Sequence, residues 1–303
     1  MTASLRQLQI FRAVARDLSY TRAAEALNLT QPAVFTQVRQ LEDQLGSPLI
    51  ERIGKRLFLT EAGKVVLASA REVLTELDRM EMRLAELRGM VRGRLRLSVV
   101  STAKYHVPAL VGEFCRRHPG IDVALTVGNR QELLARFAAN EDDLYILGAV
   151  PAELGAETRR FAENPLVAIA APDHPLAGCR GIAPADLVAH PFVMRESGSG
   201  TRIAAEGFFA AAGLVPPVRM EMGANEAIKQ AVMAGLGLSV LSRGTCLLEL
   251  AHGHLVELDA AGFPLQRHWH VAWPGGKRLS AGAEAFLAIL SAKGADMAGP
   301  AMD

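Results

Sequence analysis

Cysteine is scarce in this chain. Cys115, Cys179 and Cys246 are widely spaced, odd in number and contain no CxxC pair, which excludes a disulfide framework or a cysteine-based zinc knuckle. Reduced thiols imply a reducing compartment, and the expected location is the cytoplasm. No apolar run approaches the about 20 residues of a membrane-spanning helix. The N-terminus carries Arg6 and Arg12 within a helical pattern rather than the apolar core of a signal peptide, so no membrane partner is expected. Charge of one sign is also missing: 33 Lys and Arg against 32 Asp and Glu leave +1. A protein that merely coats nucleic acid would be far more basic, so any polyanion must meet local clusters of cations. There is no H-E-x-x-H and no G-x-S-x-G, so neither a hydrolase nor a redox reading has a motif beneath it. Cys115 with His118, and His252 with His254, offer two ligands each, too few for a closed metal site. Neither an enzyme nor a bound cofactor is expected.

What the chain does have lies first between Thr21 and Thr60. Leu5, Leu8, Phe11, Ala15 and Leu18 mark one helix, and Ala23, Ala24 and Leu27 a shorter one starting near Thr21. Asn28-Leu29 is a short turn, and Thr30-Gln31-Pro32 opens another helix, with Thr30 as N-cap and proline tolerated in the first turn. Val34, Val38, Leu41 and Leu45 form its apolar stripe. Pro32, Thr36, Arg39 and Asp43 point the opposite way, with Gln31, Phe35 and Gln40 on the flanks. Such a donor-rich face suits base edges in a major groove, where arginine pairs with guanine and apolar groups meet the thymine methyl. Residues 50–60 read as two strands joined at Gly54, with Arg52, Lys55 and Arg56 at the tip as candidate phosphate or minor-groove contacts. Residues 1–60 carry eight Lys and Arg against five Asp and Glu, a surplus of +3 that favours this end for DNA. The expected DNA-binding residues are Thr21, Thr30, Gln31, Pro32, Phe35, Thr36, Arg39, Arg52, Lys55 and Arg56.

The runs Leu8-Gln9-Ile10-Phe11, Ser19-Tyr20-Thr21-Arg22-Ala23-Ala24, Leu29-Thr30-Gln31-Pro32-Ala33-Val34, Gln40-Leu41-Glu42 and Leu59-Thr60-Glu61-Ala62-Gly63 resemble the N-terminal domain of LysR-type transcriptional regulators. Where that family usually has serine, this chain has Phe35, whose edge can meet a thymine methyl.

From Glu61 to about Arg92 the chain reads as one proline-free helix. Val66, Ala70, Val73, Leu77, Met80, Leu84, Leu87 and Val91 alternate spacings of four and three, a narrow heptad seam that favours a coiled-coil partner over a broad core face. The expectation is a dimer on an inverted-repeat promoter site, with half-sites about one helical turn or a multiple apart.

Gly89 and Gly93 end that helix, and strands then alternate with helices. Strand 95–99, helix 103–118, strand 121–127, helix 130–138 and strand 144–147 make one cycle. A crossover near 164–172 leads to strand 192–194, helix 202–212, strand 218–222, helix 225–234 and strand 238–241. A strand at 268–273 and a helix at 281–292 are expected to return to the first lobe. The predicted fold is a winged helix-turn-helix domain over 1–60, a linker helix over 61–92, and a two-lobed α/β effector domain of periplasmic-binding-protein type over 93–303. Lobe I takes about 93–164 and 268–293, lobe II about 165–267. Ligands of such sheets bind at strand carboxyl ends, facing helix N-termini. Ser101-Thr102, Asn129, the glycine-rich Ser197–Arg202 loop and Asn225 are polar helix starts. Each suits a cap; together with Arg195 and Arg202 they suit an anion. The expected effector site is Ser101, Thr102, Asn129, Arg195, Ser199, Gly200, Thr201, Arg202 and Asn225.

The stretches 101–105, 114–120, 128–130, 139–144, 173–177, 195–202 and 225–237 resemble a narrower group, the regulators of RuBisCO and Calvin-cycle operons. Tyr145 stands where that group usually has a small residue, and is expected to reshape the pocket wall. The resemblance implies a tetramer of paired dimers that bends a promoter, contact with RNA polymerase, and an anionic effector such as ribulose bisphosphate, phosphoenolpyruvate or NADPH. Two alternatives stay open: a LysR-type regulator of another pathway, such as sulfur or nitrogen assimilation, and a small-molecule binding protein or enzyme whose N-terminal helices merely assist assembly.

Overall fold

Ser4 opens the first helix, α1 (Leu5–Asp17): its hydroxyl accepts from Gln7 N at 3.2 Å while Gln7 Oε1 accepts from Ser4 N at 2.9 Å, a reciprocal cap that satisfies two otherwise unpaired donors. The buried face of α1 is Ile10, Phe11, Val14 and Ala15, whereas Leu5 and Leu18 are exposed, so the helix is as expected but its apolar stripe is rotated. Ser19 caps α2 (Tyr20–Leu27), and Asn28 closes it with φ +53°. Thr30 caps α3 (Gln31–Leu45), and Gly46 ends it with φ +67°. Val34, Val38 and Leu41 join Ile10, Phe11, Val14, Ala23, Ala24 and Leu49 in one core. Strands β1 (Ile50–Ile53) and β2 (Arg56–Leu59) pair antiparallel with Ile53 opposite Arg56, leaving Gly54-Lys55 as the wing's turn.

The long helix α4 (Glu61–Leu87) is rooted in this head. Thr60 Oγ1 donates to Pro48 O at 2.7 Å and accepts from Gly63 N at 2.9 Å. A Cβ on Gly63 would sit 2.1 Å from Leu49 O. This rooting changes the expected seam. Leu67 and the half-buried Val66 pack against the head core and Ala70 is buried, whereas Val73 and Met80 remain 42% and 50% exposed. Among the described side chains the seam is therefore open at Val73 and Met80. Leu84, Leu87, Gly89 and Val91 lie outside the described residues and side chains.

The computed structural model describes residues 3–87 and 93–294, in two compact units built on Met1–Gly93 and on Arg94–Ala138 with Asp142–Asp303. The second unit begins with β3 (Gly93–Val100), a single 3-10 turn at Ala103–Tyr105, α5 (Val107–Arg117), β4 (Ile121–Gly128), α6 (Arg130–Ala138), β5 (Leu144–Leu147) and β6 (Ala156–Glu163). The helix expected over 103–118 is split because Pro108 has no N–H to continue the 3-10 turn. Then come β7 (Leu166–Ala170), α7 (Pro184–Leu187), β8 (Phe192–Arg195), α8 (Gly200–Ala211), β9 (Val218–Met222), α9 (Asn225–Met233), β10 (Ser239–Ser242), α10 (Leu247–Ala251), β11 (Val256–Glu257), β12 (His268–Pro274) and α11 (Ala281–Lys293).

Lobe I is a five-stranded sheet in the order β4-β3-β5-β12-β6, with β3 and β5 parallel and β12 antiparallel to both of its neighbours. Phe114 of α5 packs edge-on against Phe286 of α11 at 5.6 Å, so the last helix closes the first lobe. Lobe II holds the antiparallel set β10-β7-β11 and the parallel pair β8-β9. Strand β7 occupies the region expected to be a crossover, and β6 just before it is a strand that the pattern did not mark. The chain passes between lobes at Asn164-Pro165 and again at Gln266-Arg267, where Asn164 N donates to Arg267 O at 2.7 Å and Leu166 bridges Leu265. Tyr145 corrects another expectation. It is fully buried in the lobe I core, its hydroxyl accepting from Asp142 N at 2.8 Å and donating to Arg136 O at 3.0 Å, and it does not line the cleft between the lobes.

Candidate functional site: a DNA-reading face and a cation-lined cleft

On α3 the buried Val34, Val38 and Leu41 turn the opposite face outward, and Gln31, Pro32, Phe35, Thr36, Arg39 and Gln40 are all exposed. Thr30 is committed in part to its cap, its Oγ1 accepting from Ala33 N at 3.4 Å. Thr21 is exposed in the first turn of α2. On the wing, Arg52 folds back so that Nε donates to Gly54 O at 3.1 Å, while Lys55 and Arg56 stand out into solvent. Among the described residues none of these three wing cations has an ion-pair partner. Glu42, a residue that the periodicity did not single out, is 6% exposed and accepts from the backbone N–H groups of Leu49 (2.7 Å) and Ile50 (3.1 Å), tying α3 to the wing.

In the second unit, the ends of β3 and β8 and the starts of α6 and α8 meet around a cleft of about 450 Å³, its open mouth included. Ser101, Thr102, Asn129, Arg195, Ser199, Gly200 and Thr201 all line it. Ser199 precedes α8 without capping it through its side chain, so its hydroxyl and the first N–H groups of the helix face an anion-favouring end. Asn129 is occupied by a capping box, with Oδ1 accepting from Glu132 N at 2.9 Å and its own N donating to Glu132 Oε2 at 2.8 Å.

Two expected residues lie off the cleft. Arg202 turns away to pair with Glu206 at 2.7 Å and with Glu221, while also donating to Arg195 O at 3.0 Å. Asn225 is the first residue of α9 rather than its cap, and its Oδ1 accepts from Arg195 Nη1 at 2.7 Å. Arg195 is buried, doubly bonded to Glu196 at 2.8 and 2.9 Å, and donates from Nη2 to Ser101 Oγ at 3.0 Å across the lobes. Its charge is therefore locally balanced. A second cross-lobe contact joins Lys104 to Glu226 at 3.0 Å and Tyr105 to the same carboxylate. Burial acts to raise the Glu226 pKa, but the Tyr105 hydroxyl and the Lys104 ammonium outweigh it and hold the group at about 2.

Arg130 and Arg267 also line the cleft and were not among the expected site residues. Neither has an ion-pair partner among the described residues. Burial lowers the pKa of the Arg267 guanidinium and the like charge of Arg130 lowers it further, so this wall has an excess of positive charge. Arg130 directly follows Asn129 and could have been found from the helix start. Arg267 comes from the return crossover, which no local pattern announces. Asn164 and Trp269 complete the wall.

A winged helix-turn-helix joined to a two-lobed domain with a cation-lined cleft defines a ligand-responsive, DNA-binding regulator of transcription. Residues 5–64 match the family "Bacterial regulatory helix-turn-helix protein, lysR family", and residues 88–295 match "LysR substrate binding domain". A RuBisCO operon transcriptional regulator of Allochromatium vinosum is 50% identical over 297 residues, covering 98% of each chain. The HTH-type transcriptional activator CmpR of Synechocystis is 48% identical over 290 residues, covering 96% of this chain and 95% of the relative. Among solved structures, the Synechocystis PCC6803 CcmR regulatory domain in complex with 2-PG is 47% identical with a TM-score of 0.65, covering 66% of this chain and 97% of that one. Full-length CbnR complexed with its target DNA is 25% identical with a TM-score of 0.67, covering 95% of this chain and 98% of that one. The chain belongs to the LysR family of transcriptional regulators and is closely related to the regulators of RuBisCO operons. It is a DNA-binding regulator and not an enzyme.

Proposed function

We propose that this regulator activates a CO2-fixation operon when a small anionic metabolite binds between lobes I and II. The observation that carries the reading is the Arg130–Arg267 pair, two cations without carboxylate partners in a partly desolvated cleft. Desolvating charge is unfavourable unless a counter-charge arrives, and an anion of two or more charges supplies it. The start of α8 at Ser199, Gly200 and Thr201, with Ser101 and Thr102 opposite, would donate to its oxygens. Arg195, already balanced by Glu196, would add directed donors without adding net charge. The operon class follows from the RuBisCO operon regulators at 48–50% identity, and activation from CmpR.

The working division is a reading head over 1–60, a linker helix over 61–92 and an effector domain over 93–303. The exposed Val73 and Met80 would meet a second copy along the linker, placing two heads on an inverted-repeat site. An anion that binds the closed lobes better shifts the population toward that state, and promoter geometry responds. A gel shift with the intergenic DNA beside the gene, with and without 2-PG, ribulose bisphosphate, phosphoenolpyruvate and NADPH, tests the whole reading. A retarded band whose mobility or affinity changes with one of these anions is expected. A band indifferent to all four would point to a LysR-type regulator of another pathway.

A further inference from the structure

Arg39 is exposed, yet it is not free to sweep. Its guanidinium carbon lies 5.6 Å from the centre of the Phe35 ring, one helical turn earlier, and its Nη1 lies 3.5 Å from Glu42 Oε2, three residues later. Both supports are themselves fixed. Phe35 is met edge-on by Tyr20 of α2 at 5.3 Å and 69°. Glu42 is buried, with its other carboxylate oxygen held by the backbone N–H groups of Leu49 and Ile50. A continuous chain of contacts thus runs from α2 through the outer face of α3 to the wing, with one arginine in its middle.

We propose that Phe35 is a specificity-setting positioning residue: with Glu42 it holds Arg39 in the conformation that reads a guanine. A long arginine loses rotamer freedom when it docks on a base edge, and a guanidinium already stacked on an aromatic face has lost part of that freedom before DNA arrives. Phosphate contacts do not need this order, because they tolerate many geometries. Phe35 therefore sharpens discrimination at the pair that Arg39 reads more than it raises general DNA affinity. The inference concerns the reading head and does not depend on the effector or the operon.

The test uses the full chain and the best duplex it selects from a random-sequence library, together with versions of that duplex carrying each base-pair change. R39A should lose roughly ten-fold or more of its preference at one G·C pair, the scale of a bidentate arginine contact. F35S should lose roughly three- to five-fold at that same pair, the scale of an exposed cation–π contact, and more there than at any other pair of the duplex. The F35S/R39A double variant should be no worse at that pair than R39A alone. F35Y should restore discrimination and F35L should not, because leucine keeps the apolar area but lacks the π face. NMR relaxation of the Arg39 Nε–H in the free protein should show more motion in F35S. The proposal is overturned by additive effects in the double variant, by full rescue with leucine, or by an equal loss of affinity for all DNA.

Discussion

The wing and the cleft both carry clustered arginines, and they hold them in opposite ways. Lys55 and Arg56 stand in solvent beside Arg52, without an ion-pair partner among the described residues, whereas Arg195 is buried against Glu196 and Arg267 is half-buried near Arg130. Charges in water act over about 8–10 Å and are weakened by salt, which suits sequence-blind attraction to a phosphate backbone. Charges in a cleft are screened much less and are fixed in direction, which suits recognition of one small molecule. Under the proposed function, one residue type would serve as a general attractor in one unit and as a selective receptor in the other.

Removing Arg195 should produce the largest effect. R195M leaves the mostly buried Glu196 carboxylate without its cation, and the expected loss is about 3 kcal/mol of stability, read from urea unfolding; R56M on the wing should stay within about 0.5 kcal/mol. Equal losses would erase the distinction. R267A and R130A should come next, each weakening anion binding by about 1.5–3 kcal/mol in calorimetry, with little dependence on salt. Because the two arginines repel one another, either change should leave the melting temperature of the ligand-free protein unchanged or raised. K55A and R56A should matter less at physiological salt, each lowering the slope of log affinity against log salt by about 0.9 on every DNA sequence. A loss confined to one sequence would instead make the wing a reader of bases.

The smallest expected effect is on acid stability. Glu226 sits at about 2 against an ordinary 4.5, so its contribution is fully present above about pH 4.5 and disappears as pH falls toward 2. E226Q should flatten the decline of stability across that window. Half of this side chain faces solvent, so the change should be modest and should shrink with added salt.

Much of this architecture is legible in the sequence, for reasons that vary along the chain. Helix 130–138, strand 144–147 and strand 218–222 stand where the pattern puts them, because an apolar run or an amphipathic stripe is bounded there by turn residues. Strand β6 does not announce itself. Ala156–Glu163 lies at the sheet edge with mostly exposed, charged side chains, so it has no alternation to see. In the cleft, Ser101, Thr102, Asn129 and Ser199 are visible as polar residues beside helix starts. Arg267 is not, because a crossover brings it there from a distant part of the chain. Arg202 and Asn225 look like ligand residues only until their neighbours are known: Glu206 and Glu221 claim the first, and Arg195 claims the second.

Gly63 has a mechanical meaning. Helix propensity alone favours alanine there by about 1 kcal/mol, yet a methyl group would strike the Leu49 carbonyl at 2.1 Å. The absent side chain lets the root of α4 seat against the loop between α3 and β1, with Thr60 pinning the joint. Head and shaft are thereby joined at a close-packed root with no room for a side chain between them.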